Sequence, residues 1–436
     1  MLGKASPEGW PLDSGEAGDL VVSTAPAIGL PKDTLPFFSL SYAIGNLLSS
    51  FAEPVYAVDE VLLPPGGRAE EALELVEAVR AEARSFGIRV VGGHTGAYEG
   101  IELPLIAVTA WGKRIRKAKD PSPGDRLYLL GEPFLESAWL DWLTGQGEVE
   151  VDWRRLTPVP ILKELVRMDV KALHDVSEGG IQRAIYDVTG DLGFTEGPAV
   201  EELRRVRSLS DPSYGCVVAV VRDDYASEFA SKCKSKGMKF WELGRVGGER
   251  LSMPQIGSTY EEYGFPASSY DRYLNAYSFF IKRLSRLPCI AQLIPEVGMN
   301  VALWTPKGYA GVDGRITRAE KGIRAGRPSY GASKHIAKVL DEVRRLGLSK
   351  NLALNVRLSD DIIAALERAG IHPLETKGHD PFCPLAGFIE ETGALADAYV
   401  EEPNVGIEGN VVLLFRDFDE AIKVLDALCM ALHQKK

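Results

Sequence analysis

The chain has 436 residues, enough for about three domains at roughly 150 residues each. Hydrophobic residues are 45% and charged residues 25% of the total, which excludes a chain dominated by disorder. Fifty basic against 61 acidic residues give a net charge of −11, a poor balance for wrapping nucleic acid. The longest apolar runs, such as residues 217–221 and 411–415, fall far short of the ~18 residues that would cross a membrane. The N-terminal stretch MLGKASPEGWPLD lacks the apolar core of a secretory signal. Five cysteines lie far apart with no Cys-x-x-Cys, which argues against a disulfide framework or a zinc ribbon and suits a reducing cytoplasm.

In chain order, residues 1–37 are rich in Gly and Pro, with one short apolar run at residues 20–22. A helix is expected over residues 39–51. A clear amphipathic helix follows at Ala69–Phe86, with Leu73, Val76, Ala83 and Phe86 at helical spacing. Strands are expected at 88–91 and 103–110, around a Gly-rich turn. The polar stretch 113–125 marks a first boundary. A second module opens with the strand Arg126–Leu130 and holds a helix near 159–168, a strand–loop–helix over 172–187 and an apolar strand at 216–221. A second boundary lies in the segment 252–269. The last module begins with a helix at 270–287, where Tyr273, Tyr277, Phe280, Leu284 and Leu287 share one core face. Strands follow near 300–304 and Leu352–Arg357. Ser359 ahead of two aspartates, and Asp417 three residues before Glu420, are helix start signals. These divisions give domains over 1–118, 119–260 and 268–436.

Two constellations in the first half carry chemistry. Gly92-Gly93-His94-Thr95-Gly96 follows a strand, where exposed amides could cradle a phosphate or the glycines could simply end the strand. His174-Asp175-Val176-Ser177-Glu178-Gly179-Gly180 precedes a helix. Its carboxylates could hold Mg²⁺ while its amides face phosphate, or Ser177 could cap the helix.

These motifs, together with Gly124-Asp125…Gly131 and Asp211-Pro212-Ser213-Tyr214-Gly215, resemble in order those of AIR-synthase-like (PurM-like) proteins over about residues 18–250. The resemblance implies an α/β (α+β) pair of domains, a homodimer formed through the N-terminal sheets, and a nucleotide-type site around Asn46, Gly92, Gly93, His94, His174, Asp175 and Glu178. Asp175 and Glu178 are its candidate Mg²⁺ ligands. Acids expected by the family pattern are replaced by Ala25, Leu47 and His94, which argues against ATP chemistry in this half.

The most cationic stretch runs from Asp313 to His335 and carries Arg315, Arg318, Lys321, Arg324, Arg327 and Lys334. It passes through Gly331-Ala332-Ser333 into a helix over 334–346. Cations ahead of a small-residue helix start describe an anion site, although a solvated charged hairpin also fits. The runs Leu293-Ile-Pro-Glu-Val-Gly-Met-Asn300, Asp313-Gly-Arg-Ile316, Tyr330-Gly-Ala-Ser-Lys-His-Ile-Ala337 and Ala353-Leu-Asn-Val-Arg357 resemble, in order, the ThiN-type thiamine-phosphate synthase domain. That resemblance covers about residues 270–432. It implies thiamine biosynthesis: hydroxymethylpyrimidine diphosphate and hydroxyethylthiazole phosphate are joined to thiamine phosphate with release of pyrophosphate.

By the same resemblance Arg315 and His335 are catalytic, as ligands of phosphate and leaving group. Glu296, Asn300, Gly331, Ala332, Ser333, Asn355 and Glu408 line the substrate and phosphate site, with Mg²⁺ as the candidate cofactor. Glu296 could instead cap a turn and Asn300 could bond to backbone. Where the family places a lysine this chain has Ile407, so a thiamine-phosphate-binding sensor or scaffold without turnover is the competing reading. A third is an ATP-dependent kinase or synthetase built on the first half. The expected partners are small thiamine precursors or thiamine phosphate and a second copy of the chain, with neither nucleic acid nor membrane. His372, His379, Asp380 and Cys383 share a Pro/Gly loop at no standard metal spacing.

Overall fold

The computed structural model describes residues 14–249, 271–320, 322–376, 384–403 and 408–433. The expected boundary segment 252–269, Lys321, Ile407 and the trio His379, Asp380 and Cys383 lie outside the described residues. The chain divides after residue 270 into two compact units.

The first unit contains β1 (Gly15–Ala17), β2 (Leu20–Ile28), α1 (Leu35–Ser49), β3 (Ala52–Leu63), α2 (Ala69–Phe86), β4 (Arg89–Ala97) and β5 (Leu105–Arg114). Its first sheet has the order β1-β2-β5-β3-β4, antiparallel except for the β3–β4 pair that α2 connects. β2 is three times longer than the apolar run in its sequence suggests. Its inward residues after Val21 are the small Ser23, Ala25 and Ala27, which let α1 approach and hide the alternation. α1 is apolar nearly all round because the first sheet covers one side and elements of a second sheet cover the other.

Gly92–Gly96 is not a turn. These residues continue β4, with Asp59 opposite Gly93 and Glu60 opposite His94. The reason is steric. A Cβ on Gly93 would stand 2.1 Å from Asp59 Oδ1, so glycine here lets β4 pass the Asp59 side chain.

The rest of the first unit is a second sheet with its helices: β6 (Arg126–Leu130), α3 (Leu135–Leu143), α4 (Val159–Leu165), β7 (Ala172–Asp175), α5 (Gly180–Thr189), β8 (Phe194–Glu196), α6 (Pro198–Val206), β9 (Val217–Val221), α7 (Ala226–Ser235) and β10 (Phe240–Val246). Its order is β7-β9-β6-β10-β8. Apolar residues of both sheets and of α1 merge into one core. Hydroxyls tie them together as well: Ser41 Oγ lies 2.7 Å from both Tyr214 Oη and Thr157 Oγ1.

The second unit contains α8 (Arg272–Ser285), α9 (Ile290–Leu293), β11 (Val301–Thr305), β12 (Gly308–Val312), β13 (Thr317–Arg318), β14 (Ile323–Arg324), β15 (Pro328–Tyr330), α10 (Lys334–Arg345), β16 (Leu352–Arg357), α11 (Asp360–Arg368), β17 (Leu374–Thr376), α12 (Pro384–Thr392), β18 (Ala398–Glu401), β19 (Asn410–Phe415) and α13 (Phe418–His433). Seven strands form a sheet in the order β15-β12-β11-β16-β19-β18-β17, and β13 and β14 pair separately as a small hairpin. One face of the large sheet packs against α8, α11 and α13, the other against α10 and α12. Ser359 caps α11 through Ile362 N. Asp417 accepts from Glu420 N at 2.8 Å, while the Glu420 carboxylate reaches back to Arg416 N rather than to Asp417 N.

The cysteine spacing misses one feature. Cys289 and Cys429 form a disulfide, 140 residues apart in sequence and both buried in the same core. A single bridge of that span leaves no local spacing signature. Cys216 and Cys233 are free and buried.

Candidate functional site

Strand alternation organises the second unit's site. Ala302, Ala353, Val412 and Leu414 sit on the α10/α12 face of the large sheet. The same parity places Gly311, Asn300, Asn355, Arg357 and Asn410 on that face. The face is therefore apolar under the helices and polar toward one end.

α10 begins where this change occurs. Its N-cap Ser333 is held in the left-handed region at φ 54° and ψ 40°, and its Oγ is enclosed without a hydrogen-bond partner. The helix start can settle there because position 311 is glycine. A Cβ on Gly311 would stand 2.6 Å from Ser333 Oγ. The first-turn amides of α10 lack intrahelical acceptors and carry the positive end of the helix dipole. His335 lies in that first turn and is exposed, and Gly331 and Ala332 form the turn before it.

The Asn pair lies one pleat repeat further along the sheet. Asn355 is buried, and its Oδ1 accepts from Asn300 N at 2.6 Å. That fixes the amide orientation and leaves Asn355 Nδ2 as a donor with no partner among the described residues. The Asn300 side chain likewise has none. The backbone role thus belongs to Asn355, not to Asn300.

The turn over residues 295–298 flanks this pair. Glu408 grips it through both carboxylate oxygens, accepting from Glu296 N at 3.0 Å and from Val297 N at 3.1 Å. Arg315 Nη1 donates to Val297 O at 2.8 Å, and the Arg318 guanidinium donates to Ile294 O. Glu408, rather than Glu296, is therefore the turn cap, and the Glu296 side chain is left exposed. Arg315 spends one donor on the turn and keeps the rest of its fork. Arg315, Arg324, Arg327 and Lys334 make no ion pair among the described residues. No hydrogen bond joins Arg315 to Ser333 or His335 there, so the structure links Arg315 to the 295–298 turn and Ser333 to Gly311.

In the first unit the expected nucleotide-type residues lie on α1, on β4 and from the end of β7 to the start of α5. His174 is buried, with Nδ1 2.6 Å from Asp175 O and Nε2 3.6 Å from Asp187 Oδ2, an acid that Arg183 also holds at 2.7 Å. Asp175 is buried and Glu178 exposed. Ser177 does not cap α5. The N-cap is Gly179 at φ 82°, and a Cβ on the next residue, Gly180, would meet Leu209 O at 2.5 Å. Asn46 Nδ2 donates to Ser23 Oγ at 3.0 Å, and His94 Nε2 lies 2.7 Å from Tyr98 Oη.

Asp59 is a buried carboxylate that the sequence did not single out. Burial raises its pKa above the ordinary value. It sits opposite Val108, which in turn pairs with Ala25, so the sheet keeps one acid in the cross-strand row where Ala25 stands. One Asp inside a Val-rich strand leaves no motif to find. Among the described residues, no group of three or more His, Cys, Asp or Glu side chains is arranged to hold a metal ion.

Comparison with known proteins follows the same division. A family described as "AIR synthase related protein, N-terminal domain" matches residues 23–113, its "C-terminal domain" counterpart matches 122–254, and "Thiamine-phosphate synthase ThiN" matches 278–427. A phosphoribosylformylglycinamidine synthase subunit PurL from Thermococcus kodakarensis is 28% identical over 233 residues, covering 48% of this chain and 32% of that protein. The bifunctional thiamine biosynthesis protein ThiDN of Methanocaldococcus jannaschii is 26% identical over 149 residues, covering 31% of this chain and 36% of its own length. A solved HypE–HypF complex aligns with a TM-score of 0.47 at 16% identity, over 57% of this chain and 92% of that one. The chain spans between 24% and 57% of the length of seven curated relatives that it matches. In family terms, the chain consists of AIR synthase related N- and C-terminal domains followed by a C-terminal ThiN domain.

Proposed function

We propose that the C-terminal unit acts in thiamine biosynthesis, joining hydroxymethylpyrimidine diphosphate to hydroxyethylthiazole phosphate. The observation that carries this is the polar end of the α10/α12 face. Two amide side chains whose donors are unpaired among the described residues lie there near the N-terminus of α10, and Arg315 holds the turn that leads into Asn300, all within the segment that matches ThiN.

The chemistry asks little of a base. The thiazole nitrogen attacks the methylene carbon of the pyrimidine. An N–C bond forms while the C–O bond to diphosphate breaks, and the electron pair leaves with the diphosphate. Stabilising the departing charge is the main task, and cationic side chains supply it, while helix amides can hold the phosphate of the acceptor. Asn300 and Asn355 would orient the heterocycles. Both Glu408 oxygens are occupied by backbone amides, so Glu296 is the carboxylate left for Mg²⁺, which commonly takes one or two carboxylates plus substrate phosphates.

Binding is tested by calorimetric titration of the full chain with thiamine phosphate and with thiamine. Thiamine phosphate should bind at least about tenfold more tightly, the equivalent of one charge-assisted contact of roughly 1.5 kcal/mol. Arg315→Ala should remove most of that advantage while the unfolding temperature stays close to wild type. Equal binding of the two ligands, or an unchanged affinity in Arg315→Ala, would refute the assignment.

A further inference from the structure

Arg357 has not been given a role above. It closes β16, two residues beyond Asn355 and therefore on the same sheet face. The side chain is half-buried, and its Nε is enclosed with no hydrogen-bond partner. Its cross-strand neighbour is Asn410, and the pair beyond is Asn410 with Glu401. Glu401 would be the natural counter-ion, but its Oε2 accepts from Asn410 Nδ2 at 2.9 Å. Arg357 makes no ion pair among the described residues. A half-buried guanidinium with an unmatched donor and no carboxylate is costly unless an anion completes it.

Its position says which anion. Ser333 and the start of α10 sit over Gly311. The Asn300/Asn355 row is one pleat repeat beyond, and the Arg357/Asn410/Glu401 row is one repeat beyond that. Two repeats span about 13 Å at roughly 3.3 Å per residue. The face therefore offers positive character at both ends of a strip and amide donors between them. One phosphate at the α10 end leaves the Arg357 end unfilled. A pair of ligands with anions at opposite ends fills both.

We infer that Arg357 is a second anion-binding residue of this site, one that takes the diphosphate group while the α10 end takes the monophosphate. This rests on the proposed function and sharpens it, since a site that only sensed thiamine phosphate would need a single anion pole.

The test uses the full chain and titrates inorganic pyrophosphate into protein with and without saturating thiamine phosphate. Wild type should bind pyrophosphate in both states. Arg357→Ala should weaken pyrophosphate by about ten- to a hundredfold and change thiamine phosphate affinity less than about twofold. Arg357→Lys, which keeps the charge but not the fork, should recover part of the loss and guards against misfolding of the alanine variant. Unchanged pyrophosphate binding in Arg357→Ala, or an equal loss for both ligands, would overturn the inference. If wild type binds pyrophosphate through Arg357 but ignores thiamine phosphate, the thiamine reading fails and the anion site stands.

Discussion

Glu408 shows how one side chain can matter without touching a ligand. Its two oxygens receive the amides of Glu296 and Val297, so a single carboxylate fixes the turn that leads into Asn300. Replacing it with Gln keeps the shape but puts an NH₂ against one of those amides. Glu408 is half-exposed, so the cost to stability should be about 1 kcal/mol, at the low end for charged hydrogen bonds, or roughly 2–4 °C in unfolding temperature. Scanning calorimetry of Glu408→Gln measures this, and an unchanged melting curve would show that the turn stands without the clamp. Family motifs make Glu408, Ser333 and Asn355 legible in the sequence. Their division of labour is not, because it depends on which backbone amide each side chain reaches. Arg315 reads as a phosphate ligand and proves to be partly engaged with Val297 O, while Asp59 lies in no motif and Arg357 closes one that gives it no role.

Among the elements, amphipathic α2 and the buried β9 are legible because hydrophobic periodicity and apolar runs mark them. β2 and β4 are not, because small residues and glycines on close-packed strands remove the apolar signal that marks a strand. β4 reads as a short strand that ends in a glycine turn at 92–96 and in fact runs on through it as an edge strand. The bridge between Cys289 and Cys429 is likewise invisible locally, since it joins the segment before α9 to α13. It closes a loop of 140 residues, a span for which the chain-entropy account gives up to about 5 kcal/mol, with 2–4 kcal/mol typical. Calorimetry with and without a thiol reductant should show the second unit melting several degrees lower when reduced. Cys289→Ala should lose that dependence. Denatured, unreduced protein should then show three accessible thiols, at Cys216, Cys233 and Cys383, and five would contradict the bridge.

Among the described residues, three large sheets and a two-stranded hairpin hold all the strands; two of the large sheets share one core, and the third belongs with the hairpin to the second unit. Among the described residues, one side of the first sheet carries exposed apolar side chains. Leu20, Ile28 and Tyr56 are 45%, 43% and 42% exposed on strands whose alternate residues are buried. Val91 on edge strand β4 is 55% exposed. Apolar side chains gathered on one sheet face are a liability unless covered, and a second copy of the chain would cover them. Sedimentation at micromolar concentration should therefore report a homodimer. A species at 47.5 kDa would exclude it. The central claim concerns the second unit, and product analysis tests it most directly. The full chain is mixed with Mg²⁺, hydroxymethylpyrimidine diphosphate and hydroxyethylthiazole phosphate. Thiamine phosphate and pyrophosphate should appear in equal amounts and depend on Arg315, whereas protein that binds both substrates yet releases neither product would contradict synthase activity.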